Sequence, residues 1–98
     1  MMKELKFKNP LFREGHNLTV RRGIRWGVER EAKIDMGIGL ITFKITTVVM
    51  SFADLGNSDL ADEHDEKCRN VDGLFEVMCQ LYSNFDAREM VTLVSFEI

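Results

Sequence analysis

Thirteen consecutive residues, Leu40 to Phe52, hold neither glycine nor proline and consist mainly of β-branched and aromatic side chains. Such side chains fit a pleated surface better than a helix, so the run reads as the longest strand and commits the chain to a β-sheet. By period two, Ile41, Phe43, Ile45, Thr47 and Val49 fall on one face and Thr42, Lys44 and Thr46 on the other. The run is expected to cross the centre of the sheet. Other segments repeat the same period. Leu5 and Phe7 alternate with charged neighbours, Leu18 and Val20 alternate with Thr19 and Arg21, and Ala32, Ile34 and Met36 alternate with Lys33 and Asp35 within a strand expected over Val28 to Met36. Gly37-Ile38-Gly39 then marks a hairpin turn. Met90 to Ile98 closes the chain as a strand, with Val94, Phe96 and Ile98 on one face and Val91 and Leu93 making the other apolar as well. That double apolarity asks for a covering helix.

Helical signals are fewer. Pro10 to Glu14 reads as one helical turn, because proline at a first helical position loses no hydrogen bond. Asn57-Ser58-Asp59 is a cluster of cap residues ahead of a segment with five acids between Asp59 and Glu66, so a short, exposed, acidic helix is expected over Leu60 to Lys67. Asp72 is expected to cap a second helix, in which Leu74, Val77, Met78 and Leu81 fall at i, i+3, i+4 and i+7 and face the sheet. The expected architecture is α+β: a small, mostly antiparallel sheet of about five strands, curled into a barrel that removes its edges, with two helices before the last strand. The 98 residues suffice for a single domain, 1–98.

With 45% hydrophobic and 30% charged residues, the composition is that of a globular protein and excludes a disordered or fibrous one. No apolar run approaches the roughly 18 residues of a membrane helix, and Met1-Met2-Lys3-Glu4 leads into alternation, so a cytoplasmic protein with no membrane partner is expected. Cys68 and Cys79 show no CxxC spacing, and His16 and His64 stand far apart, which argues against a disulfide or a zinc site. On a helix, Asp62, Glu63, Asp65 and Glu66 spread over too wide an arc to meet at one ion. No metal and no cofactor are expected. Charge is divided unevenly: residues 1–50 carry ten Lys or Arg against five acids, net +5, and residues 51–98 carry three against eleven, net −8. A phosphate-bearing ligand would be drawn to the first half.

The functional signal concentrates in Glu14 to Trp26. Glycines at 15 and 23 bracket a short strand on which Thr19 and Arg21 share a face, so a hydroxyl and a guanidinium project side by side. Arg22, Arg25 and Trp26 follow at once, a basic rim beside the only tryptophan. Thr-x-Arg at 19–21 and Arg-x-Gly-x-Arg-Trp at 22–26 resemble the opening motif of the ASCH domains, a branch of the PUA-like barrels. Phe52-Ala53-Asp54-Leu55 after the long strand, the acidic segment, Gln80-Leu81-Tyr82 and the final strand follow in the same order, so the resemblance spans nearly the whole chain.

That resemblance implies a PUA-like barrel that binds RNA, a nucleotide or a modified nucleoside. One branch of similar small proteins removes the acyl group from N4-acetylcytidine with a lysine, a threonine and a glutamate, in a Gly-x-Lys-x-x-Thr-x-Arg pattern. Here Thr19 and Arg21 match, the glycine stands one place closer, and His16 occupies the lysine position; the glutamate falls near Glu66.

Three functions follow as expectations. The first is an RNA- or nucleotide-binding module with Arg21, Arg22, Arg25 and Trp26 at its mouth. The second is an amidohydrolase with Thr19 as nucleophile, His16 as base, Glu66 as supporting acid and Arg21 holding the oxyanion. The third is an interaction module whose acidic helix, Asp59 to Glu66, docks a basic partner. Against each stands a plainer role: a solvated loop histidine, a strand threonine, a solvated acidic face and a tryptophan packed at the barrel end.

Overall fold

The computed structural model describes residues 3–7, 12, 14–37 and 39–98. Among them six strands and one α-helix follow in the order β1 (Lys3–Leu5), β2 (His16–Arg22), β3 (Glu31–Asp35), β4 (Leu40–Lys44), β5 (Thr46–Ser51), α1 (Val71–Leu81) and β6 (Met90–Glu97). The helical turn expected over Pro10 to Glu14 lies outside the described residues except for Phe12 and Glu14, as does Ile38 at the hairpin tip. The strands form two three-stranded sheets, ordered β1-β3-β4 and β2-β6-β5. Every pairing is antiparallel except β1 with β3. Among the described residues no ladder joins the two sheets into a closed barrel.

The centre belongs to β6, which pairs with β2 on one side and β5 on the other. Its alternation serves two cores. Val91 and Leu93 pack with Leu18 and Val20 of β2 against Leu74 and Met78 of α1, while Val94 and Phe96 meet Leu5, Ala32 and Ile34 of the other sheet. Sheet, sheet and helix thus stack in three layers, and the covering helix that the doubly apolar strand asked for is α1. Burying Leu74 and Met78, 2% and 1% exposed, contributes roughly 2 kcal/mol each.

The long β-branched run departs from its expectation. It breaks at Ile45, whose N–H donates to the Arg30 carbonyl at 2.9 Å and whose side chain is buried between the sheets. The chain there leaves one sheet and enters the other, so β4 and β5 are both edge strands. Ile41 and Val49, expected on one face of a central strand, are 39% and 38% exposed. Period two is a property of one sheet, and a strand that changes sheet at a bend presents its faces to different surroundings on either side of it.

The hairpin between β3 and β4 forms as expected, with Gly37 and Gly39 at φ of 87° and 124°, where a Cβ would be strained. The acidic helix does not form. Asn57–Leu60 and Glu66–Cys68 are 3-10 turns, and between them Leu18 donates its N–H to the Asp62 carbonyl at 2.8 Å and accepts from the His64 N–H at 2.9 Å. The outer edge of β2 needs partners, and this segment supplies them. Its carboxylates add to the effect: Glu63 Oε1 accepts from the Asp65 N–H and Asp65 Oδ1 from the Lys67 N–H, which ties the backbone into turns.

The α1 cap is Asn70 rather than Asp72: its Oδ1 accepts from the Gly73 N–H at 2.7 Å, and Asn57 Oδ1 takes the Val71 N–H. Gly73 lies so close to the acidic segment that a Cβ there would stand 2.0 Å from the Lys67 carbonyl oxygen. One expected α1 contact is missing, because Leu81 is 47% exposed.

Candidate functional site

The segment Asp62 to His64 covers the outer edge of β2 only around Leu18. Further along, Thr19, Val20 and Arg21 border a cavity of about 370 Å³. Lys6 and Phe7 close one side, Leu74, Met78 and Tyr82 of the helical layer close another, and Glu63, His64 and Lys67 form the third.

Glu63 and His64 are the most constrained side chains of this wall. Glu63 is 1% exposed, an uncommon fate for a carboxylate unless it is paired. Its Oε1 contacts His64 Nδ1 and accepts the Asp65 N–H at 3.1 Å. His64 Nδ1 also lies 3.1 Å from the Leu18 carbonyl. Both partners are acceptors, so Nδ1 carries the proton, and Nε2 has no hydrogen-bond partner among the described residues. Phe7 packs edge-on to the imidazole at 4.8 Å between centroids, and Phe12 lies at 5.9 Å. Burial disfavours the imidazolium, but the hydrogen bond and charge of Glu63, helped by the Leu18 carbonyl, outweigh it and raise the His64 pKa above the usual 6.5.

Arg21 forms the opposite border. Its Nη2 donates to the Lys6 carbonyl at 2.8 Å, and the guanidinium carbon sits 4.8 Å from the centre of the Phe7 ring. Nε is buried without a hydrogen-bond partner among the described residues. Burial lowers the Arg21 pKa, opposed by Tyr82 and Glu63; guanidinium nonetheless stays charged in proteins. Cys68 also borders the cavity, but burial and the charges of Glu63 and Asp65 push its thiol up to about 12, so it stays protonated and inert at neutral pH.

Of the site residues read from the sequence, the cavity brings together Thr19 and Arg21. Thr19 is 4% exposed. His16 lies elsewhere: β2 begins at His16, so its side chain shares the face of Leu18 and not that of Thr19, and it pairs at 3.5 Å with Glu97 in the open. Glu66 begins a 3-10 turn and is exposed; the acids that border the cavity are Glu63 and Asp65, of which Glu63 is buried. Arg22 stands on the opposite face from Arg21, with Nε 2.6 Å from Glu89 Oε1 and its guanidinium over Tyr82. Arg25 and Trp26 belong to a 3-10 turn, where Trp26 packs against the core between the sheets. The four acids expected on one exposed face are divided by the burial of Glu63. His64 escaped the sequence reading; the available signal was a lone imidazole next to a carboxylate, three and four residues beyond the apolar Leu60.

Among the described residues, no helix is long and apolar enough to cross a membrane. No protein-family model, curated protein or solved structure matches the chain.

Proposed function

We propose that the cavity beside β2 binds a nucleotide or a nucleotide of a short RNA segment, as an ASCH-type domain of a cytoplasmic protein. The observation that carries this reading is Arg21, a half-buried guanidinium bordering a cavity of about 370 Å³ that also has the aromatic rings of Phe7 and Tyr82 on its walls. A fixed cation suits a phosphate, and the π-faces of rings suit a base. The resemblance of Thr19 to Trp26 to the ASCH opening motif supports it, and on this reading the two sheets are the walls of an opened PUA-like barrel. Isothermal titration of nucleotides and short RNAs at low salt tests it: binding should weaken as salt rises, and Arg21→Ala should cost tenfold or more in affinity. Absence of binding, or an unchanged affinity in Arg21→Ala, ends the reading.

A second reading, removal of the acyl group from N4-acetylcytidine, is favoured by one specific observation: Thr19 shares the cavity with a carboxylate and an imidazole. Incubation with N4-acetylcytidine, followed by chromatography for cytidine, tests it alongside Thr19→Ala.

A further inference from the structure

We propose that Glu63 and His64 form a proton-transfer pair, with Nε2 of His64 the general base of the cavity and Glu63 the positioning residue that holds its ring. The inference rests on the second reading, acyl hydrolysis, and assigns it a base that the spacing of the opening motif does not contain. Three observations converge on it. The Nδ1 proton is committed to Glu63 Oε1 and the Leu18 carbonyl, which fixes the tautomer and leaves the Nε2 lone pair as the only basic site of the ring. The ring is pinned twice to Leu18, through its own backbone N–H and through Nδ1, and so stands against the residue that precedes Thr19. His64, Glu63, Thr19 and Arg21 all border one cavity, and His64 is held there by Phe7 and Phe12. A buried carboxylate behind an imidazole is the arrangement that orients a base and stabilises the imidazolium formed when it accepts a proton.

The chemistry balances with water as the only co-reactant. His64 Nε2 takes the Thr19 hydroxyl proton while the oxygen bonds to the acyl carbon of the ligand; the C–N bond then breaks and the Nε2 proton goes to the departing nitrogen. A water next loses a proton to Nε2 and bonds to the acyl carbon; the bond to Thr19 breaks, and the proton returns to its oxygen as the carboxylic acid leaves. Arg21 is the cation beside the developing oxyanion. Charged or titratable groups around the cavity with His64 are Glu63, Asp65, Lys67 and Cys68 of its own segment, Lys6 and Arg21 across from it, and Tyr82 after α1. Of these Glu63 favours the imidazolium and Arg21 opposes it.

The test combines nitrogen NMR of the histidines with pH–rate profiles on N4-acetylcytidine and p-nitrophenyl acetate for the full chain, His64→Gln, Glu63→Gln and His16→Gln. Turnover should rise with pH through the value at which His64 titrates by NMR. His64→Gln should lose at least 100-fold in kcat. Glu63→Gln should move the rising limb to lower pH, an effect that mere loss of packing would not produce, and His16→Gln should match the wild type. Turnover that survives His64→Gln, or a profile that Glu63→Gln does not move, overturns the pair and leaves the hydrolase reading standing. Absence of turnover in the wild type removes both, with nucleotide binding judged by titration alone. Should His64→Gln fail to fold, the wild-type spectrum still decides: a neutral His64 protonated on Nε2 instead of Nδ1 overturns the inference.

Discussion

Among the described residues two histidine–glutamate pairs stand beside β2, and they differ in almost everything but composition. His16 and Glu97 sit opposite each other at the open end of the β2–β6 ladder, with side chains 59% and 71% exposed and 3.5 Å between Nε2 and Oε1. His64 and Glu63 are adjacent in sequence, with side chains 11% and 2% exposed, and are backed by the Leu18 carbonyl and two phenylalanine rings. Water screens the first pair and satisfies either partner when the other is lost. The second pair was removed from water at a desolvation cost that only its own hydrogen bonds offset, so each partner depends on the other. The contrast shows that residue identity does not make a site; the local dielectric and the number of fixed partners do.

The largest effect should come from breaking the buried pair on one side. Glu63→Ala is expected to destabilise the protein by roughly 3–5 kcal/mol in denaturant unfolding, because it takes the carboxylate partner from a half-buried His64 and orphans the Asp65 N–H. A loss under about 1 kcal/mol would mean that water reaches the pair freely. Next comes the clamp that presses the acidic segment onto the helix. Gly73→Ala would drive a Cβ into the Lys67 carbonyl, a backbone atom that cannot swing aside, and should cost about 3 kcal/mol. Its thermal midpoint should fall well below that of Asn70→Ala, which loses one cap hydrogen bond and about 1 kcal/mol.

A pH series sharpens the comparison further. The folded-state pKa of His64 is raised above its unfolded value, so its contribution to stability is complete below about 6.5 and is lost as pH rises through the higher folded value. Unfolding free energies measured across that window should decline with pH, and Glu63→Gln should flatten the decline by removing the charge that raises the pKa. A slope that Glu63→Gln leaves intact would place the titrating group elsewhere. The smallest effect belongs to the exposed pair: Glu97→Gln should change stability by about 0.5 kcal/mol or less, and less still in high salt.

Elements carried by their own residues were legible in the sequence. The alternation of Leu18 to Arg21 and of Val91 to Phe96, the stripe of Leu74 and Met78, and the two glycines of the β3–β4 hairpin are local regularities. Each specifies its strand, helix or turn whatever the chain does elsewhere. Thr19 and Arg21 were recognisable as side-by-side neighbours for the same reason. Three outcomes depended on contacts between residues far apart in the chain. Ile45 became a corner because the Arg30 carbonyl takes its N–H, the acidic segment left the helical state because the edge of β2 at Leu18 accepts it, and Glu63 was buried because that docking carries it inward. An exposed acidic helix and a docked extended segment satisfy backbone groups equally well in isolation. What separates them is an unpaired strand edge 46 residues away from His64 in sequence, a partner that tertiary structure alone supplies.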